Sequence, residues 1–266
     1  MNASTIYGPV RSWRVGNSLG VDLLFQTSIC SFRCIYCQLG KIQIPTTERK
    51  VYVPTARVMA DLEASDWRSA DVITFSGSGE PTLALNLGEV IQAVKARTAK
   101  PVAVLTNATL LGDPAVRADL READRVFCKL DASSDEMLAR IDRPVEGITL
   151  RGIVSGIKAL KAEYPGFLAV QSMFMPSNLK DLEAFAGFLR DIGPAQVQLN
   201  TPLRPVPREW YLGSRGNHDG EAPVETVKLR PISRDDAVDL ERALRSMTGL
   251  DVVNVYRPEP EPLVEA

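Results

Sequence analysis

Cys30, Cys34 and Cys37 fall within eight residues of one another, in the order Cys-Ser-Phe-Arg-Cys-Ile-Tyr-Cys. Three thiolates on one short loop can hold a metal centre while leaving it a position open to another molecule. A four-iron cluster has one more iron than this loop has cysteines, so one iron would be free to take a small ligand. Zinc is the competing reading, but structural zinc is closed by four ligands, usually in paired short spacings. The chain has four cysteines and one histidine, so closure would need Cys128 or His218, both far along the sequence. A disulfide framework is weaker still: the chain is long enough to build a core, and no charged segment followed by an apolar run opens it.

The elements that must position this loop are legible as an alternation. Short apolar runs rich in β-branched residues predict strands at Leu19–Gln26, Val72–Ser76, Pro101–Thr106, Arg125–Asp131, Phe167–Phe174 and Ala195–Asn200. Between them, helical periodicity marks Thr55–Ser65, Leu85–Arg97, Pro114–Glu122, Ser134–Ile141, Leu150–Glu163 and Leu179–Asp191. Strand and helix in turn imply parallel strands joined by right-handed crossovers. The expected fold class is therefore α/β: a partial (β/α)6 TIM-like barrel of parallel strands, with a doubly wound open sheet as the near alternative. Residues 1–205 would form the barrel. From 206 to 266 a C-terminal α/β extension is expected, comprising a loop, a helix N-capped by Ser233 and stopped by Gly249, and a strand at Asp251–Tyr256. The Pro- and Glu-rich end after Arg257 is expected to fray.

In parallel barrels the residues just past each strand end form the site. Those positions hold the cysteine loop, then Ser76-Gly77-Ser78-Gly79-Glu80-Pro81, Thr106-Asn107, Lys129 to Asp131, Met175 to Asn178, and Asn200 to Arg204. The cysteine triplet with Tyr36 before its last member, placed after the first strand of a β/α chain, resembles the radical S-adenosylmethionine (SAM) superfamily. The segment Gly77-Ser78-Gly79-Glu80-Pro81 is similar to that superfamily's GGEP motif, with Ser78 in place of a glycine. The resemblance implies a [4Fe–4S] cluster on Cys30, Cys34 and Cys37, and SAM as the ligand of the open iron. It further implies that Gly77, Gly79 and Glu80 hold the SAM amino group, that Tyr36 lies near the adenine, Asn107 near the methionine and Asp131 near the ribose. Lys129 could neutralise the SAM carboxylate or reach solvent. Reductive cleavage of SAM would give a 5′-deoxyadenosyl radical that abstracts hydrogen from an unidentified substrate. The reductant would be a carrier such as flavodoxin or ferredoxin.

Residues 8–205 also resemble the Fe–S oxidoreductases grouped with wyosine-base synthases, through Gly8-Pro9-Val10-Arg11-Ser12, Gly79 to Thr82, Thr106-Asn107 and Lys129 to Ala132. Those enzymes modify a guanine in transfer RNA using pyruvate, a second cluster and a Schiff-base lysine. Four cysteines are too few for a second three-thiolate cluster, and the formal net charge is -2, which lacks the basic footprint of a phosphate-gripping protein. Transfer-RNA modification and glycyl-radical activation stay as alternatives within the superfamily. A non-catalytic electron carrier or sensor is the alternative from another class, and it would have no need of Gly79-Glu80-Pro81.

No stretch approaches the twenty apolar residues of a membrane span, and the expected location is the cytoplasm. Cys128, inside a strand, reads as a small buried apolar group or as a hydrogen donor. His218 reads as a surface residue. Arg204 and Asn200 could bind a substrate carboxylate or phosphate or pair with glutamates. Arg11 and Arg14 beside Trp13 could serve the substrate or the barrel floor, and Trp210 and Tyr211 could cover the open side. The Asp142-Arg143-Pro144 turn reads as a lid or an ordinary turn.

Overall fold

The computed structural model describes residues 3–179, 181–216 and 224–257. His218 and the segment after Arg257 lie outside them. One sheet organises the chain, with strands β1 (Ile6–Ser12), β2 (Gly16–Val21), β3 (Val72–Phe75), β4 (Val102–Thr106), β5 (Arg125–Lys129), β6 (Phe167–Met173), β7 (Gln196–Asn200) and β8 (Val252–Asn254). Their order across the sheet is their order in the chain. β1 runs antiparallel to β2, and each later neighbour pair is parallel. The crossovers carry α1 (Thr55–Glu63), α2 (Leu87–Thr98), α3 (Pro114–Leu120), α4 (Asp135–Ile141), α5 (Leu150–Glu163), α6 (Leu182–Ile192) and α7 (Arg234–Thr248). This is the expected partial barrel of parallel strands, with β1 and β8 as its two edges.

Local chemistry sets the element ends. Side-chain oxygens of Asp113, Ser134 and Thr149 accept backbone N–H groups at the starts of α3, α4 and α5, satisfying donors that helix geometry leaves unpaired. Ser233 and Asp236 form a reciprocal capping box on α7, which stops at Gly249 with φ +71°, as the sequence implies. The first parallel strand ends earlier than its apolar run suggests. Asp22 Oδ1 accepts the N–H groups of Leu24 and Phe25 at 3.0 and 3.1 Å and turns the chain there, so β2 stops at Val21.

Strand parity divides the core in two. Val126 and Cys128 of β5 belong to the large apolar layer under the helices, while Phe127 packs with Val72, Ala103 and Ala169 on the opposite, inner face. Side chains two apart share a face, so Lys129 points with Phe127. Cys128 is fully buried on the helix side, where burial pushes its thiol pKa up; it matches the apolar reading and not that of a hydrogen donor to the inner cavity. Residues after 205 add α7 and β8 to the same sheet, with Val252 in register with Val197. No helix among the described residues is long and apolar enough to cross a membrane.

Candidate functional site

The cysteine loop leaves β2 through Asp22 and is fastened to the loop after β3 by backbone hydrogen bonds in both directions. Ile29 N donates to Ser78 O at 2.8 Å, and Glu80 N donates to Ile29 O at 3.0 Å, making a short parallel bridge between Ile29 and Gly79. Gly79 has φ +152°, and a side chain there would overlap the Ile29 carbonyl. Glycine is thus required by the close approach of two backbones as well as by its dihedral. The two motifs that the sequence places at one end of the sheet are physically zipped together.

Ser78, where a second glycine is usual in the motif, is buried. Its hydroxyl donates to Asp22 Oδ2 at 2.5 Å and its backbone N–H to the same oxygen at 3.1 Å. Arg215 Nη1 reaches that oxygen at 3.0 Å, and the guanidinium lies over the rings of Tyr7 and Phe25. The serine therefore joins the turn after β2 to the loop after β3 and to the C-terminal segment.

Glu80 is buried, and its carboxylate is already engaged. Oε1 accepts from Thr82 N at 3.1 Å, Thr82 Oγ1 at 2.6 Å and Thr106 Oγ1 at 2.6 Å, while Oε2 accepts from Asn107 N at 2.6 Å. Burial outweighs these bonds and raises its pKa. The residue caps the 3-10 turn Pro81–Leu83 and ties it to the end of β4. Asn107 in turn directs its side-chain N–H2 to Ser31 Oγ at 2.8 Å and Cys30 Sγ at 3.5 Å.

On the other side of the loop, Tyr36 donates its phenol to Asp131, and Asp142 lies 3.1 Å from the same hydroxyl. Lys129 Nζ sits 3.2 Å from Asp131 Oδ2 and 4.7 Å above the Tyr36 ring. Asp131 Oδ1 accepts from Met173 N at 2.6 Å, so this carboxylate positions Tyr36, Lys129 and the end of β6. Cys34 Sγ lies 3.3 Å from Asp142 Oδ1. Burial, then the Asp131 charge, push the Asp142 carboxyl well up, and burial does the same for the Tyr36 phenol. The Asp142-Arg143-Pro144 turn is thus packed against the cysteine loop.

The thiols fit a group that takes three protein ligands. Cys34 feels both Cys37 and Cys30 electrostatically, so the three sulfurs share one neighbourhood. Phe32 N and the Asn107 amide both donate toward Cys30 Sγ, which suits a thiolate. Among the described residues no three His, Cys, Asp or Glu side chains are grouped to hold a single metal ion, and Cys128 is on the far face of the sheet. Burial raises the pKa of Cys30, Cys34 and Cys37, so ligation must release their protons.

A cavity of about 380 Å³ opens inside the sheet below this loop. Of the residues named from sequence for the cofactor, Tyr36 and Gly77 line it; Gly79, Glu80, Asn107, Lys129 and Asp131 are not among its lining residues and instead fasten the surrounding loops to one another. Asn200 and Arg204 line it, as do Trp13 and Arg14 from the turn between β1 and β2. The sequence names Arg14 and Trp13 as serving the substrate or the barrel floor, but not strand β1 and the β1–β2 hairpin that carries them to the cavity. The C-terminal segment covers the loop end: Trp210 Nε1 donates to Gln26 O at 3.2 Å, and the backbone at Glu209 packs so closely on Gly40 that a side chain there would overlap it. Tyr211 does not line the cavity.

The sequence profile described as the radical SAM superfamily matches residues 25–189. A UPF0026 protein of Synechocystis is 45% identical over 229 residues, spanning 84% of this chain and 86% of that protein. A UPF0026 protein of Methanocaldococcus jannaschii is 32% identical over 77% of this chain and 65% of its own length. Among solved structures, Streptococcus suis SuiB bound to S-adenosylmethionine superposes with a TM-score of 0.59 at 11% identity, over 86% of this chain and 48% of SuiB. That likeness speaks to the fold alone.

Proposed function

The chain belongs to the radical SAM superfamily, and from that premise we propose that it is a radical SAM enzyme with one [4Fe–4S] cluster on Cys30, Cys34 and Cys37. When bound, the cluster supplies the electron that cleaves the SAM sulfonium bond, giving a 5′-deoxyadenosyl radical that takes a hydrogen atom from the substrate. The single observation that carries the reading is the backbone zipper between Ile29 and the Ser78-Gly79-Glu80 segment. It holds a three-cysteine loop beside a glycine-rich loop whose backbone can approach a ligand closely, and an electron carrier has no use for the second loop.

In this reading Gly77 and Gly79 give the SAM methionine access to backbone groups, and Glu80 fixes that loop while its less occupied oxygen faces the amino group. Asn107 holds the Cys30 sulfur and borders the methionine. Tyr36, clamped by Asp131 and Lys129, presents its ring to the adenine. Asp131 acts on SAM through Tyr36 and Lys129, because its own side chain has no accessible surface. The hairpin and the segment over Gly40 keep water from the cavity, as radical chemistry requires.

Electrons would enter from outside the barrel. A groove on the outer side of Cys34 is lined by Arg33, Lys41, Arg143 and Arg208, with no carboxylate among its described lining residues, although Arg208 pairs with Glu225 beside it. That surface suits an acidic carrier of the flavodoxin or ferredoxin kind.

The test is anaerobic cluster reconstitution, then incubation with SAM and dithionite and mass-spectrometric assay of 5′-deoxyadenosine. Product from the wild type and none from Cys34→Ala is expected. A loaded cluster with neither SAM binding nor cleavage would overturn the reading in favour of an electron-transfer or sensor protein.

A further inference from the structure

A side-chain amide has two hydrogens to give and one oxygen to accept with, and at Asn107 the neighbours assign all of them. Oδ1 accepts the Thr109 backbone N–H at 3.1 Å and the Thr109 hydroxyl at 2.8 Å. A backbone N–H can only donate, so the oxygen must face Thr109 and the amide nitrogen must face away from it. On that side the nitrogen reaches Ser31 Oγ at 2.8 Å and Cys30 Sγ at 3.5 Å. The Ser31 and Thr109 hydroxyls lie 2.7 Å apart, and because the Thr109 hydrogen is already given to Asn107, Ser31 donates to Thr109. The three side chains close a ring with one direction: Asn107 to Ser31, Ser31 to Thr109, Thr109 back to Asn107. Bonds arranged head to tail polarise one another. The second amide hydrogen stands outside the ring and points at the Cys30 sulfur. The backbone bends to make this possible: Ala108 has φ +65°, a left-handed conformation uncommon for a residue with a Cβ, which brings the Thr109 N–H and hydroxyl onto one oxygen. Asn107 and Ser31 are both buried, so little water competes for these groups.

We infer that Asn107, held by Ser31 and Thr109, gives the Cys30 thiolate an N–H···S hydrogen bond that raises the reduction potential of the cluster. Asn107, Ser31 and Thr109 are then positioning residues that act through Cys30. The inference rests on the cluster proposed for Cys30, Cys34 and Cys37. A ligating thiolate has no hydrogen of its own, so both N–H groups at Cys30 Sγ, from Asn107 and from Phe32 N at 3.4 Å, donate to it. Reduction adds negative charge that the cluster sulfurs share, and hydrogen bonds to those sulfurs are among the levers that set the potential. A donor there favours the reduced form and eases entry of the electron. The Phe32 bond belongs to the backbone and survives substitution, so the Asn107 bond is the one that a side chain controls.

The experiment is a redox titration of the anaerobically reconstituted full chain, followed by electron paramagnetic resonance, with iron content measured on the same samples. SAM is left out, so a change in its affinity at this position does not enter. Asn107→Leu keeps the branched shape and the backbone N–H that Glu80 accepts, and removes the donor. At a fixed applied potential its reduced-to-oxidised ratio should fall about tenfold, which is about 59 mV for a one-electron couple. Asn107→Asp places an acceptor where the donor stood and should fall further. Thr109→Val opens the ring without touching a cysteine and should shift the ratio the same way by a smaller factor, whereas Thr109→Ser should stay within twofold of wild type. A merely structural role would lower iron content and leave the potential of the loaded clusters unmoved. A wild-type potential in Asn107→Leu therefore overturns the inference; where that variant takes up no iron, equal potentials in Thr109→Val and Thr109→Ser overturn it. A wild type that takes up no reducible four-iron cluster overturns the underlying reading as well, and shows directly in its own spectrum.

Discussion

Asn107 donates its backbone N–H to Glu80 Oε2 at 2.6 Å and extends its side-chain amide toward Cys30 Sγ at 3.5 Å. The glutamate of the glycine-rich loop is thereby coupled to Cys30 of the cysteine triplet through one intermediate residue. Glu80→Ala strips an acceptor from Thr82, Thr106 and Asn107 together. Leaving buried donors unsatisfied costs about 1–3 kcal/mol apiece, so the melting temperature should fall by about 6 °C or more and SAM binding should weaken. Glu80→Gln keeps the shape and should recover most of the stability but not the SAM affinity. Differential scanning fluorimetry with SAM calorimetry checks this; an unchanged melting temperature in the alanine variant would refute the coupling.

Gly79→Ala should act on the cluster loop rather than on SAM alone. The added carbon would collide with the Ile29 carbonyl and open the zipper that carries the chain into Cys30. The expected outcome is iron content below half that of wild type after identical reconstitution, measured by ferrozine assay. Full loading would show that the zipper is dispensable.

Arg215→Met should destabilise the fold from a position far along the chain from the cysteines. Asp22 has a fully buried side chain and depends on Arg215 for its countercharge. Removing one partner of such a pair typically costs about 3–5 kcal/mol, which corresponds to a drop of about 6 °C or more for a chain of this size. The double variant Asp22→Asn with Arg215→Met should recover part of the loss in thermal denaturation; no recovery would indicate that Arg215 acts through its ring contacts.

Burial pushes the Tyr7 phenol up to about 12. The folded state then retains a proton that the unfolded chain sheds near the ordinary tyrosine value of about 10. Its contribution is fully present below that unfolded value and is lost as pH rises toward the folded one. The melting temperature of wild type should therefore decline more steeply than that of Tyr7→Phe between about pH 10 and 12. Parallel curves would place Tyr7 in a more solvated setting.

Reversing charge at the outer groove, with Arg33→Glu and Lys41→Glu together, should slow cluster reduction by flavodoxin about tenfold at low ionic strength. Reduction by dithionite should be unaffected, and the salt dependence of the flavodoxin rate should flatten. Stopped-flow absorbance measures both; equal slowing by the two reductants would point to damage at the cluster and not to docking.

Most of the barrel is legible because its strands and helices are long enough for their periodicity to show, and because each strand is followed by a polar, glycine-bearing loop. The cysteine triplet and Gly79-Glu80-Pro81 are legible as motifs. β1 is not: Ile6–Ser12 contains Gly8-Pro9, and its pairing with β2 slips between Tyr7 and Val10, so the alternation that identifies a strand is interrupted. With β1 unseen, the inward reach of Arg14 and Trp13 could be named only as one of two options. The Asp22–Arg215 pair links positions 193 residues apart, and no local pattern encodes such a contact. Asp131 illustrates the reverse case, a residue singled out by its place past a strand end whose side chain is consumed by Tyr36, Lys129 and Met173 N.

Because sheet order follows chain order, each strand from β2 onward can dock on a neighbour only one crossover away, and most contacts form at low loop-closure cost. The contacts of the C-terminal segment are exceptions: Arg215 reaches Asp22 and Trp210 reaches Gln26 across most of the chain. A contact completed after the transition state would slow unfolding without speeding folding, so loss of the Arg215–Asp22 tie should chiefly quicken unfolding. The C-terminal segment would then serve as a latch on the loop that leaves β2 at Asp22.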